Sequence, residues 1–325
     1  MAVFCLPKNT EFDRINFVMK KLAVVIYGPT GVGKTSASLA VAKKLNGEII
    51  SADSMQVYKG MNIGTAKITK AEMQGVRHHM LSIVSPRKEF TVCDYVNRTK
   101  QKIDEILSRG KLPIIVGGTG LYIKALVEDY EFSGVYKDNK IRNKYHNIAE
   151  KHGNEFLHKI LEEKNPEKAA TINVNDTFRI VRALEIIELQ ETGNFVNNEV
   201  QKHSSDVDYL VFAITMDRNK LYKRINARVN KMFKDGLKNE VKTLVESGIK
   251  TDCPAMQGIG YKELIAHFNK EMKMPETKEL IKRRSRNYAK RQLTFMRGMN
   301  DVVEISAGKQ ATTQIVEIVK AKMEE

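Results

Sequence analysis

The stretch GPTGVGKT, residues 28–35, carries the first chemistry legible in the chain. Gly28, Pro29, Thr30, Gly31, Val32, Gly33, Lys34 and Thr35 fill the pattern G-x-x-x-x-G-K-[ST], whose glycines let backbone N–H groups turn inward around phosphates. The loop follows the apolar run LAVVIY (22–27) and opens a segment with helical spacing, so a helix N-terminus adds its partial positive charge. In such a loop the lysine, Lys34, reaches the phosphates and the hydroxyl of Thr35 can ligate Mg²⁺. ATP is the ordinary occupant, but an ATP-hydrolysing site also places an acid at the end of a buried strand. Here the best such strand, KLPIIVGG, ends in glycine, and the acid sits instead in SADSMQVY, at Asp53. An anion grip without a hydrolysis apparatus points to group transfer from a substrate that carries a diphosphate, with Asp53 on the acceptor side. Two other readings stay open on these residues: a small-molecule kinase using ATP, and an RNA-binding protein without catalysis that uses the loop as an anion clamp.

The elements that must position these groups alternate. LAVVIY, GEIISADS and KLPIIVGGTG read as buried strands, separated by helical segments such as the amphipathic DYVNRTKQKIDEILSRG, which Gly110 stops. That alternation predicts an α/β fold, a P-loop NTPase-like parallel sheet with helices on both faces and a ligand site beyond the carboxyl ends of the strands. Residues 28–35, 51–56 and 117–120 should meet there. From about residue 128 polar helical segments run without strands, and strand pattern returns at YLVFAITMD (209–217). The expected organisation is an N-terminal extension at 1–21 and a core with the catalytic centre at 22–127 and 208–310. A helical insertion that contacts RNA occupies 128–207, with NNEVQKHSSDVD (197–208) as linker, and a C-terminal helix or tail 311–325.

Composition limits the partners. The 325 residues carry a net charge of +15, which suits a polyanion, and no apolar run is long enough to span a membrane. The three cysteines are scattered, which fits a reducing cytoplasm and excludes a cysteine-based zinc site. The segment KELIKRRSRNYAKRQLTFMR (278–297) holds eight Lys or Arg against one Glu, a dense cationic helix face for RNA phosphates. His78-His79 could suggest metal ligands. On a strand, however, adjacent side chains point to opposite faces, so one should pack and the other face out.

Taken together, GPTGVGKT, ISADSMQVYKGMNIGTAK, HHML, VGGTGLYIKAL, NDTFRIVRALE, MQGIGYKEL and RNYAKRQLTFMR, in this order, closely resemble the tRNA dimethylallyltransferases, over about residues 22–300. The resemblance implies transfer of a dimethylallyl group from dimethylallyl diphosphate to the exocyclic amine of the adenine 3′ to the anticodon in tRNA, with release of pyrophosphate and with Mg²⁺ as cofactor. A monomer with no membrane partner is expected. Asp53 resembles the family's general base, Arg224 the arginine that assists the diphosphate, and residues 28–35 the cradle for it. Positions that resemble tRNA contacts are Asp53, Ser54, Met55 and Gln56; Thr119 and Arg142; Phe178, Arg179, Ile180, Val181 and Arg182; Gln257, Gly258, Ile259, Gly260, Tyr261 and Lys262; and Lys290, Arg291, Gln292 and Arg297. Arg77, Ser82 and Phe295 depart from residues common in the family. Read without the resemblance, Asp53 could instead serve the metal, Arg224 could be a solvated helix charge, and Tyr58 could be a base-stacking ring or a core aromatic.

Overall fold

A computed structural model describes residues 21–130, 138–192 and 206–325. The proposed N-terminal extension, apart from Lys21, and nearly all of the proposed linker lie outside the described residues. Two compact units divide the chain: residues 1–124 with 205–325, and residues 125–204.

In the first unit, β1 (Lys21–Tyr27) leads into α1 (Lys34–Lys44), followed by β2 (Gly47–Ala52), the two-residue β3 (His78–His79), α2 (Val92–Leu107), β4 (Leu112–Gly117) and α3 (Gly120–Val127). The apolar runs form strands because both of their faces are covered: residues 23–27 of β1 are entirely buried. The start of α2 is fixed by a capping box, in which Thr91 Oγ1 accepts from Asp94 N and the Asp94 carboxylate accepts from Thr91 N.

The second unit is helical: α4 (Asn139–Lys164), broken at Gly153, then the short α5 (Pro166–Ala170) and α6 (Thr177–Glu191). Its core gathers Tyr145, Leu157, Leu161, Ile180 and Leu184.

The chain re-enters the first unit at β5 (Val207–Thr215), then α7 (Arg218–Lys234), α8 (Leu237–Glu246), a 3₁₀ turn at Pro254–Gln257, α9 (Tyr261–Phe268), α10 (Met274–Arg297), β6 (Val302–Ser306) and α11 (Ala311–Glu324). The sheet has six strands in the order β3-β2-β4-β1-β5-β6, and every pairing is parallel. This is the expected P-loop NTPase-like sheet, with β3 and β6 added at its edges. The last helix is part of the core, since Ala311, Ile315, Val316 and Val319 pack with Val24 and Phe212.

The His-His pair divides: His79 packs inside, while the half-buried His78 donates to Val76 O through Nδ1 and lines the cavity beyond the strand ends. His79 is buried and its Nε2 lies 2.7 Å from Glu48 Oε2. Because a carboxylate only accepts, the His79 tautomer carries its proton on Nε2. Burial lowers the His79 pKa despite Glu48, so the ring is neutral at pH 7. Burial alone would raise the Glu48 pKa, but hydrogen bonds from Arg109, His79 and Lys111 outweigh it and hold the group at about 2. A carboxyl whose folded pKa lies below its unfolded value of 4.5 stabilises the fold above pH 4.5, and that contribution fades as pH falls toward about 2. Glu48→Gln is therefore expected to cost roughly 3 kcal/mol at pH 7, as a buried partnered charge is broken. Urea unfolding of variant and parent should show this gap shrinking below pH 4.5.

Candidate active site

The phosphate loop is built by backbone conformation. Gly31 and Gly33 sit at φ 83° and 111°, where side chains are disfavoured, and so curl the chain into the start of α1. No acidic residue occupies the first turn of α1 and no side chain caps it, which leaves its N–H groups suited to an anion. Lys34 folds back over the loop, its Nζ donating to Gly28 O at 2.7 Å and Pro29 O at 3.0 Å. Burial lowers its pKa to about 7, Arg228 pushes in the same direction, and Asp53 opposes both.

Beyond the carboxyl ends of the strands lies a cavity of about 390 Å³. Thr30, Lys34 and Thr35 line one side, Asp53 and residues 54–56 another, and Ile225, Val229, Met232 and Ile281 supply an apolar wall. The three strand ends expected to converge do so: Ser54 N donates to Thr119 Oγ1 at 3.0 Å, and Thr119 N to Ala52 O at 3.2 Å. Asp53 Oδ1 accepts from Met55 N (2.9 Å) and Gln56 N (3.3 Å), a local turn that fixes the carboxylate. Gln56 is engaged within the protein, accepting from Ser51 Oγ and donating to Thr65 O.

Residues 257–262 also line the cavity, and Glu240 holds the segment opposite them. Its carboxylate accepts from the backbone N–H of Asn62 (2.8 Å), Ile63 (2.7 Å) and Gly64 (3.0 Å) and from Tyr261 Oη (2.7 Å). Gly64 has no side chain because a Cβ there would lie 2.6 Å from the Tyr261 ring.

Of Arg224 and Arg228, four residues apart on α7, the one expected from the sequence is on the outside. Arg224 is exposed, with its guanidinium near the loop at Val32 O (3.5 Å), and it does not line the cavity. Arg228, one turn further on, does line it. Burial lowers the Arg228 pKa and Asp53 raises it. The spacing RINAR could have flagged both residues, since positions four apart share a helix face. Tyr288 on α10 also lines the cavity and was not foreseen, whereas Tyr58 is a buried core aromatic. Burial, aided by Asp53, pushes the Tyr288 phenol up to about 12.

The remaining expected RNA contacts divide by exposure. On α6, Phe178 and Arg179 are exposed. Ile180 and Val181 are instead buried in the core of the second unit, because the helix turns these apolar positions inward. Arg142 Nε lies 2.8 Å from the buried Glu185, which Arg182 also bonds. Burial raises the Glu185 pKa, but these arginine bonds outweigh it and the carboxyl is held below its usual value. On α10, Arg283, Lys290, Arg291 and Arg297 are exposed. Arg284 pairs with Glu263 at 2.6 Å and Arg286 donates to Asn226 Oδ1 at 2.7 Å, so the cationic face is narrower than its composition suggests. Gln292 is buried rather than on that face.

A parallel sheet whose phosphate loop and fixed carboxylate line one cavity together with apolar side chains fits a P-loop α/β transferase. The profile of the IPP transferase family matches residues 56–299. A tRNA dimethylallyltransferase of Bacillus subtilis is 46% identical over 285 residues, 87% of this chain and 90% of that protein. That of Bacillus cytotoxicus is 44% identical over 94% of this chain and 96% of its own. The crystal structure of a tRNA isopentenylpyrophosphate transferase from Bacillus halodurans superposes with a TM-score of 0.70 at 40% identity, covering 94% of this chain and 97% of that one. A eukaryotic dimethylallyltransferase acting on tRNA gives 0.73 at 28% identity, over 94% and 80% of the two chains. The chain belongs to the tRNA dimethylallyltransferase (IPP transferase) family and is an enzyme of that class, which sets aside the kinase and the non-catalytic binder. Among the described residues no helix is long and apolar enough to cross a membrane.

The Lys34 environment has a measurable consequence. With its pKa near 7 the ammonium is only partly charged around neutrality, and a bound polyanion favours the charged form. Binding of pyrophosphate at about pH 8 should therefore take up close to one proton, read by calorimetry in buffers of different ionisation enthalpy. Lys34→Ala should abolish the uptake.

Proposed function

We propose that the chain transfers a dimethylallyl group from dimethylallyl diphosphate to the exocyclic amine of the adenine 3′ to the anticodon in tRNA, forming isopentenyladenosine and pyrophosphate. The observation that carries this is that one cavity is lined by Lys34, Arg228 and the loop residues Thr30 and Thr35, by Asp53, and by the apolar Ile225, Val229, Met232 and Ile281. The apolar wall suits a five-carbon chain, and the loop suits its diphosphate. An adenine amine is a weak nucleophile because its lone pair is delocalised. As its nitrogen bonds to the allylic carbon, the carbon–oxygen bond to the diphosphate breaks and Asp53 accepts the amine proton. Negative charge grows on the departing pyrophosphate, where Lys34, Arg228 and the first-turn amides of α1 hold it, with Arg224 over the outside of the loop.

The residues fit a magnesium ion with few protein ligands. Thr35 is exposed on the first turn of α1, and among the described residues no cluster of three or more His, Cys, Asp or Glu could hold a metal. Mg²⁺ here would be held by the Thr35 hydroxyl together with diphosphate oxygens and water, and would supply further charge neutralisation to the leaving group. For the acceptor, the target base must leave its stack, at a cost of a few kcal/mol. Backbone phosphates would meet the exposed cations of α10, and Phe178 and Arg179 offer a ring and a guanidinium for unstacked bases.

Asp53→Asn keeps the side-chain volume but cannot take the proton, so single-turnover prenylation should slow by roughly 10²–10⁴-fold. The dissociation constants for both substrates should change little. Near-normal turnover would remove Asp53 as the base, and loss of Mg²⁺-dependent diphosphate binding would assign it to the metal. Arg228→Ala should weaken pyrophosphate binding more than Arg224→Ala.

The α10 face gives a separate test. Replacing Arg283, Lys290 and Arg297 with Ala removes three exposed cations, so the slope of log K against log salt for tRNA should flatten by about two. An unchanged slope and affinity would place the RNA elsewhere.

A further inference from the structure

One polar side chain in the core has no role in the chemistry above. Gln292, on α10, is 5% exposed. Its Oε1 accepts from the backbone N–H of Thr30 in the phosphate loop at 2.9 Å, and its Nε2 donates to Gly118 O at 2.7 Å. Its own backbone carbonyl accepts from Tyr27 Oη at 2.9 Å, at the end of β1. A Cβ on Gly118 would lie 2.1 Å from Gln292 Nε2, so glycine at this position makes room for the amide. The amide thus bridges two loops that the sheet leaves side by side. From Gly118 the connection continues to Thr119, whose Oγ1 accepts from Ser54 N beside Asp53. One turn before Gln292 on α10, Tyr288 lines the cavity, and one residue before it the exposed Arg291 lines it too.

We infer that Gln292 is a positioning residue: it sets the Thr30 peptide of the phosphate loop and thereby couples α10 to the grip on the diphosphate. The physical basis is the cost of an unmade bond. The Thr30 N–H and the Gly118 carbonyl flank the Gln292 amide at the edge of the cavity that all three residues line, and removing that amide leaves both without their side-chain partner. Both loops are held to the same side chain, so a shift of α10 carries the phosphate loop and the Thr119–Ser54 connection together. The α10 cations sit on the exposed face of the same helix. On the reading that this face takes tRNA phosphates, RNA bound there steadies the helix, which steadies Thr30. Pyrophosphate and RNA should then favour each other's binding by one common factor, as reciprocity of binding free energies requires.

The test uses the full chain with inorganic pyrophosphate and an anticodon stem-loop RNA. Gln292→Met keeps the length of the side chain and removes both hydrogen bonds. It is expected to weaken pyrophosphate binding about tenfold and to speed hydrogen exchange at the Thr30 amide while β1 stays protected. RNA affinity in the absence of pyrophosphate should hold, and the factor by which one ligand helps the other should fall to near one. A folded variant whose pyrophosphate affinity stays within about twofold of the parent's, or whose Thr30 exchange is unchanged, overturns the inference. Should the variant not fold, the parent alone decides: RNA should slow exchange at Thr30, and unaltered exchange there overturns the coupling. These readouts need no turnover, so a parent that binds pyrophosphate but does not prenylate RNA would refute the proposed reaction and leave the role of Gln292 standing.

Discussion

The site depends on how closely the backbone leaving β4 passes its neighbours. A Cβ on Gly117 would lie 2.0 Å from Ala52 O, and one on Gly120 would lie 2.3 Å from the Phe295 ring. With Gly118 facing Gln292, each glycine of VGGTG admits a different neighbour: the end of β2, the α10 amide and the α10 ring. That crowding brings Asp53, which follows β2, to the same cavity as the phosphate loop that follows β1. A larger residue at 117 would force the β2 and β4 ends apart and carry the carboxylate away from the loop. The glycine where an ATP-hydrolysing enzyme would place its metal acid is therefore a packing requirement of this arrangement, and the acid moves one strand over.

Much of this was legible in the sequence because it is local. GPTGVGKT announces its own conformation, and continuous apolar runs announce buried parallel strands. Asp53 could be placed because it directly follows such a run. What escaped is set by tertiary contact. β3 is two residues and β6 is bracketed by polar segments, so neither carries a periodic signal. Arg224 and Arg228 share a helix face, and only the packing of α7 on the loop decides which guanidinium enters the cavity. Gln292 lies in a strongly basic segment and reads as surface, yet it is buried, because α10 turns its Tyr288–Gln292 side toward the loops.

The cationic helix shows how composition overstates function. Arg284 and Arg286 add to the charge of the segment, but each has an internal partner, in Glu263 and Asn226. Glu263 is buried and also accepts from Gly260 N at 2.6 Å, so Arg284 serves to neutralise the carboxylate that caps α9. The α9 start matters to the cavity because residues 257–262 line it. Part of the positive charge of α10 is thus spent on shaping the site, and the remainder on its exposed face is what a polyanion can meet.

The charges inside the cavity complete the argument. Lys34 and Arg228, which both line it, respond to the Asp53 carboxylate, which favours their charged forms, while burial acts against each of them. Burial is the larger influence on Lys34, which it brings to about 7. One carboxylate is too little to neutralise both of these cations. In the proposed reaction a diphosphate would bring the missing negative charge and favour the charged forms of the groups that would then hold the leaving group. That excess of positive charge suits an anionic donor better than a neutral one.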